Sequence, residues 1–454
     1  MIGYFAALIL VALIFQVQSI GLFYIVLGSL TVLGFFYFLN RNTVNWQKLS
    51  EKAFNKKIFI TALILRIVWV IFSYYFYKAQ TGTPFEFSAA DSQVYHAGAI
   101  EVADFIMQGQ LRHWYMFYFG HFSDMGYILL LGIEYVFVFK SIFWARIIKC
   151  FYSAFMCILI YRIAKSNFGE KTGRIAAIIA MLMPNFIYYC GLHIKETEMV
   201  FFTVLFIYLI DNILKSQKYK FLTIFGALLL CVFLFSFRTV LGGAAVVALV
   251  TTLLFSTVKK LTWSKRVLII VWVLLVGFYF VGGRAMLEIE EVWQAKSTNQ
   301  DIGMQQRAAR GNQFAKYGKV AVFAPMIFTI PFPTLVDIEG QENQKMLNGA
   351  NYCKNILSGF IFLGLFLLIK QKKWREHLLV ISFYLAYLGT IALSNFAHSE
   401  RFHMPALPFF IIIASWGISQ VNNKNKKLFN YWVILMVIAA VIWSYIKLAG
   451  RGIV

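Results

Sequence analysis

The sequence predicts an all-α polytopic membrane protein, with about thirteen transmembrane helices and external interfacial helices in its first large loop. Three observations predict it. Hydrophobic residues make up 60% of the chain and charged residues only 14%, a balance that water-soluble globules do not show. The apolar residues come in long runs separated by short basic connections. The formal net charge is +22, and the Lys and Arg residues behind it are dispersed between those runs instead of gathered on one soluble domain. Dispersed in this way they read as topology determinants and partners for membrane lipids with anionic head groups, and no nucleic-acid partner is assigned. Cys150, Cys157, Cys190, Cys231 and Cys353 lie in or beside apolar segments without paired metal-ligand spacing, which argues against a disulfide framework and a zinc site.

Residues 1–40 read as a transmembrane hairpin. Residues 4–39 are almost continuously apolar, and one helix of that length would span roughly 50 Å against a hydrocarbon core of about 30 Å. Gln16, Gln18, Ser19 and Gly21 supply the polar interruption where the chain turns. No basic region precedes the first apolar run and no small-residue cleavage site follows it, so the hairpin reads as a retained anchor. Residues 41–57 form a basic linker, which the positive-inside rule places in the cytoplasm. The core, residues 58–282, opens with a span from Ile58 to about Tyr77 that then runs outward.

That span delivers FEFSAADSQVYHAGAIEVADFIMQ, Phe85 to Gln108, to the external face. As a helix the stretch sets Asp91, Tyr95 and Gly98 on one face. Val94, Val102, Phe105 and Ile106 lie round the other side, placed to rest on a bilayer surface. Ser88-Ala-Ala-Asp91 also fits a capping box, in which Asp91 belongs to the helix end and has no chemical task. Trp114, Tyr115, Phe117, Tyr118, Phe119 and Phe122 suit the head-group level, and the run from Tyr127 to Phe139 is short for a crossing. Residues 80–145 are therefore expected to form external interfacial helices.

From Arg146 onward apolar spans alternate with basic connections. The clusters Arg162 to Arg174, Lys215 to Lys220, Lys259 to Arg266, Lys370 to Arg375 and Lys424 to Lys427 are assigned to the inside. The same count leaves His193 to Glu198, the neighbourhood of Arg238, the segment 283–352 and Asn395 to Pro405 outside. Segment 283–352 is polar, too small for a core of its own, and reads as an external loop or lid. Residues 353–454 supply the C-terminal transmembrane helices.

Four sites on the expected outer side carry charge that a membrane protein places there at a cost. Asp91 stands with Tyr95, His96 and Glu86. His193-Ile-Lys195-Glu196 follows a proline-bearing span, where a terminus snorkelling to water is the competing reading. Arg238 is stranded in SFRTVLGG without basic neighbours, and an arginine at a membrane rim needs an anionic partner. His398-Ser-Glu400-Arg401-Phe-His403 sets a basic cluster against the topology trend. One carboxylate converging with several cations suits a lipid-linked phosphate, whose oxygens Arg and Lys bind while the carboxylate accepts a proton from an attacking hydroxyl. The sequence has no CxxC, HExxH or Asp-x-Asp, no glycine-rich phosphate loop and no GxSxG, so no metal site or cofactor is assigned.

Several passages in order resemble a known family. Asp91 and Tyr95 in AADSQVYHAGAIEVADFI come first, then RIIKCFYSAFMCILIYRIAKSNFGEKTGRIAAIIAMLMPNFIYY, then HIKETE, and late in the chain RFHMPALPFFIIIASWGI. Over roughly residues 58–420 this resembles the GT-C glycosyltransferases that use polyprenyl-phosphate donors, in particular the aminoarabinose-transferase and protein O-mannosyltransferase branch. The resemblance implies a multi-pass protein of the bacterial inner (cell) membrane with its site on the external side. It implies an undecaprenyl-type lipid-linked sugar donor and a lipid or glycan acceptor of the cell envelope. Asp91 would match the first-loop carboxylate, Lys195 or Glu196 would occupy the second external loop, and Arg401 would match the late phosphate-contacting arginine. Tyr95, His96, Arg238, His398 and His403 complete the expected substrate-binding set. Ser92 stands where many relatives carry a second acid, which removes a ligand motif for a divalent metal, and two extra spans precede the family-like core. The implied reaction is an inverting transfer with Asp91 as general base. A polymerase or ligase acting on a diphosphate-linked glycan would share these features, whereas a flippase would show repeat symmetry and mid-span charges.

Overall fold

The computed structural model describes residues 1–118, 122–216, 221–257, 266–267, 270–271, 326–393, 397 and 399–454, with 116–118, 122–123 and 423–425 described by backbone alone. Among the described residues the regular structure is helical, and the single β-bridge joins Ser19 to Val336. Among the described residues seven helices are long and apolar enough to cross a membrane, or eight when a bent pair counts as one span. That is the many-span protein the composition implies, with fewer qualifying spans than the expected thirteen. Part of the difference lies in three apolar helices of 10–17 residues, Ile2–Ile14, Phe221–Phe237 and Thr239–Phe255. Part lies in residues 272–282, outside the described residues.

α1 (Ile2–Ile14) and α2 (Leu22–Asn45) are separated by a short 3-10 turn at Gln16–Gln18. Polar side chains there leave the backbone free to bond elsewhere, and Gln18 O accepts from the Asp337 amide at 2.6 Å. α3 (Glu51–Thr81) starts where Ser50 Oγ accepts the Ala53 amide and ends on Gly82 at φ 76°, a left-handed stop that glycine adopts without strain. α4 (Ala90–Met107), α5 (Leu111–Tyr118) and α6 (Phe122–Val138) follow. α7 (Ile142–Phe168) is central, packing on α3, on α8 (Glu170–Leu182) and on α10 (Glu196–Lys215).

α8 and α9 (Pro184–Cys190) form the bent pair, at 44°. The cause is local. Pro184 has no N–H to return to the Ala180 carbonyl. Arg66 of α3, fully buried, supplies the missing donors: Nη2 bonds Ala180 O at 3.2 Å and Nη1 bonds Met181 O at 3.1 Å, while Nε is held by Ser153 Oγ at 2.6 Å. α11 (Phe221–Phe237) and α12 (Thr239–Phe255) meet at Arg238.

The described part of the polar segment is anchored on the helices. Ile330, Phe332, Leu335 and Val336 are buried, and side chains of the following helix satisfy the extended backbone. Lys354 Nζ donates to Ile330 O at 2.6 Å, and Asn355 Nδ2 donates to Thr329 O and to Pro331 O at 3.0 Å. After α13 (Glu342–Met346), that helix, α14 (Asn348–Lys370), begins inside the stretch read from sequence as loop. Residues 283–325 lie outside the described residues. α15 (Leu378–Ala392), α16 (Glu400–His403), α17 (Leu407–Ser419) and α18 (Asn423–Ala449) close the chain. α17 packs on α14 with Gly417 against the Phe360 carbonyl, so close that a Cβ there would overlap it.

Candidate active site

α4 starts one residue before Asp91, and its first turn bears on the capping-box reading. Ala89 is the cap, no side chain bonds there, and Ser88 sits at φ 52°. The capping box does not form. The Asp91 carboxylate, largely exposed, instead accepts a hydrogen bond from Arg401 Nη1 of α16. The expected bilayer face is corrected in part as well. Val94 is exposed, but Val102 is buried with Ala99 and Ala103 where α4 packs on α6, its side chain against Gly132.

Arg401 is a bridge. Its Nε donates to Glu196 Oε1, and Glu196, in the first turn of α10, is fully buried. Arg238 approaches the same oxygen with Nη2 at 3.8 Å. Its guanidinium lies 4.4 Å over the Phe402 ring, and Nη1 is 3.5 Å from the Tyr387 hydroxyl. These are long contacts for an arginine in so apolar a setting, so its donors keep capacity for another acceptor.

Lys195 caps α10 from inside the protein, which excludes snorkelling: it is 4% exposed, paired with Asp124 of α6, and donates to Phe237 O at 2.8 Å. Burial, and Arg238 after it, pull the Lys195 ammonium below its ordinary value. The Asp124 carboxylate works against that by favouring the charged form. Tyr95, one turn beyond Asp91, is buried below Lys195, whose Nζ stands 5.9 Å over its ring. Burial and then the Glu196 carboxylate push the Tyr95 phenol up to about 12, so it remains a hydroxyl at neutral pH.

The other expected residues sit elsewhere. His96 turns from Asp91 towards α6, Nδ1 lying 2.6 Å from the Tyr135 hydroxyl. His403 has both ring nitrogens engaged, Nδ1 by Lys354 Nζ at 3.3 Å and Nε2 with Ala397 O at 2.7 Å. These bonds, with the one from Asn185 to Glu400, hold the single turn of α16 from both sides of Arg401. His398 lies outside the described residues. Asp124 was not singled out from sequence, although an acidic residue in the first turn of a helix was a signal available there. The described part of the long segment also reaches this neighbourhood, since Asn343 Nδ2 donates to Phe87 O at 2.6 Å, ahead of α4. Among the described residues no three or more His, Cys, Asp or Glu side chains are grouped to hold a metal ion.

Residues 125–282 match the family model described as dolichyl-phosphate-mannose-protein mannosyltransferase. Residues 349–452 match the one described as the Alg9-like mannosyltransferase family. No curated protein matches the chain. Lys195, Glu196 and Arg238 fall in the first stretch and Arg401 and His403 in the second, while Asp91 and Tyr95 lie ahead of both. The fold joins the three pieces at one place. Two mannosyltransferase models on successive parts of one multi-span helical chain indicate a membrane glycosyltransferase of the GT-C superfamily, whose members use lipid-linked sugar donors.

Proposed function

We propose that the protein transfers a sugar from a polyprenyl-phosphate donor to a hydroxyl of a cell-envelope acceptor at the external face of a bacterial inner membrane, with inversion. The observation that carries this is the direct pairing of Asp91 with Arg401, across 310 residues of sequence, beside Glu196 and Arg238. A carboxylate that can take a proton and guanidinium groups that can hold a phosphate are thereby in contact. The reaction needs both around one anomeric carbon, the carboxylate at the attacking oxygen and the guanidinium groups at the departing phosphate.

In the proposed reaction the acceptor oxygen forms a bond to the anomeric carbon as the bond from that carbon to the phosphate oxygen breaks. The acceptor proton passes to Asp91, and the electron pair leaves on polyprenyl phosphate. Arg238 and Arg401 bind the charge that develops there through forked N–H donors, with Lys195 as a third cation. Buried Glu196 orients Arg401 and does not itself meet the acceptor. No covalent sugar–enzyme intermediate is required, so one catalytic carboxylate suffices.

Asp91→Asn tests the reading. The amide keeps the shape and can still accept a hydrogen bond from Arg401, but it is not a base. Transfer from a polyprenyl-phosphate donor is expected to fall by about two to four orders of magnitude, with donor binding retained. Wild-type turnover in the purified variant would refute the assignment.

A further inference from the structure

A second polar group lies against α4 through Ser92 and His96, and it is not satisfied within itself. Arg146 of α7 is fully buried, and none of its three guanidinium nitrogens has a hydrogen-bond partner. Glu86 gives one carboxylate oxygen to Ser92 Oγ and leaves Oε2 buried and unpartnered. His193, also fully buried, has its Nε2 2.9 Å from the Tyr135 hydroxyl and its Nδ1 open. The Tyr127 hydroxyl is buried and open as well. These groups share one neighbourhood: the His193 ring lies 5.6 Å from that of His96, Ser92, which holds Glu86, is one turn before His96 on α4, and Lys149, one turn beyond Arg146 on α7, bonds the carbonyls on either side of His193 and stands 5.3 Å over the Tyr127 ring. Lys149, one turn further along α7, shows the contrast, because its ammonium donates to Leu192 O at 3.1 Å and to Ile194 O and pairs with Glu198 at 3.4 Å.

Unbonded polar groups in a low-dielectric interior are destabilising, and most of all when charged. A protein retains a set of them where something else supplies the bonds. The chemistry of the set says what kind of molecule that is. The set holds a guanidinium and a carboxyl group that do not bond each other, and burial, reinforced by Arg146, lowers both histidines towards the neutral form. The set offers both donors and acceptors, which suits a polyol, since every hydroxyl both donates and accepts. Tyr127 connects the group to the candidate active site, its ring edge-on to Tyr95 at 5.0 Å.

We infer that this cluster binds the hydroxyl groups of the donor's sugar, through Arg146, Glu86, His193 and Tyr127, while Arg401, Arg238 and Lys195 bind its phosphate. The inference rests on the lipid-linked donor reading of the adjoining site. It divides donor recognition into two parts that can be measured separately.

The experiment compares binding of bare polyprenyl phosphate with binding of a panel of polyprenyl-phosphate hexoses, mannose first, to the purified full chain. Wild type is expected to prefer at least one sugar-bearing donor over the bare lipid. Tyr127→Phe removes only an unpartnered hydroxyl and leaves the packing intact. Arg146→Lys keeps the charge and removes the fork. Each is expected to reduce that preference about tenfold, the weight of one good hydrogen bond, while affinity for bare polyprenyl phosphate stays at the wild-type value. Preference unchanged in Tyr127→Phe and in folded Arg146→Lys would overturn the inference, as would equal weakening of loaded and bare lipid or a wild type without preference. A wild type that fails to bind even bare polyprenyl phosphate would instead remove the donor reading itself.

Discussion

In the proposed donor site, the contact between Asp124 and Lys195 bears on the pH range over which the lysine is charged. Burial and then Arg238 lower the Lys195 ammonium, which Glu196 raises, and the Asp124 carboxylate paired with it favours the charged form. A lysine whose folded value is depressed is charged below that value and neutral above it, so its contribution to phosphate binding disappears as pH rises through it. Asp124→Asn takes away the opposing carboxylate and lowers the value further. The alkaline limb of donor binding should then move to lower pH, with binding at acidic pH little changed. A pH titration of donor affinity in wild type and variant measures this, and superimposable alkaline limbs would exclude a role for the Lys195 charge. Tyr95 needs no such partner, since its phenol is pushed up to about 12 and stays protonated throughout.

Among the elements, the bent pair α8–α9 depends most visibly on a distant residue. Arg66 supplies the donors that Pro184 cannot, bonding Ala180 and Met181 from α3. Arg66→Met leaves those carbonyls buried and unpaired, at about 1–3 kcal/mol each, so thermal unfolding in detergent should shift clearly downward. Pro184→Ala returns an N–H to the turn and makes the arginine less necessary. Arg66→Met should therefore destabilise the Pro184→Ala background less than it destabilises wild type. Additive effects in that double-mutant cycle would show that the arginine acts on something other than the bend.

At the scale of the molecule, the basic connections and the candidate site lie at opposite ends of the same helices. α10 runs from Glu196 at the site to Lys215, which pairs with Asp211 near the end of α7. Lys165, at that end of α7, joins Glu51 and Glu170 at the starts of α3 and α8. Twenty helical residues cover about 30 Å, the thickness of a hydrocarbon core. If the basic end is cytoplasmic, the site is external. Lys171→Cys in intact cells should resist a membrane-impermeant maleimide until the cells are opened. Labelling from outside would invert the proposed topology and the side on which the acceptor is met.

Hydropathy is a property of the chain read one residue at a time, so the sequence alone determined the helical membrane class, the polar break at Gln16–Gln18 and the list of charged residues out of place in such a protein. Arg238 was conspicuous because nothing near it in sequence explained it. What those charges do depends on partners far along the chain: Arg401 meets Asp91 310 residues away, and Lys195 meets Asp124 71 residues away. Helical periodicity could set Asp91 and Tyr95 on one face, but it could not say that Val102 on the other side would be covered by α6. Nor could it distinguish Asp91 as a cap from Asp91 as a partner of Arg401, because Ser88-Ala-Ala-Asp91 serves either equally well. Arg66 and Arg146 both lie within apolar helices, and packing is what separates them. One is saturated by carbonyls that a proline left open, and the other is buried with every donor still unused.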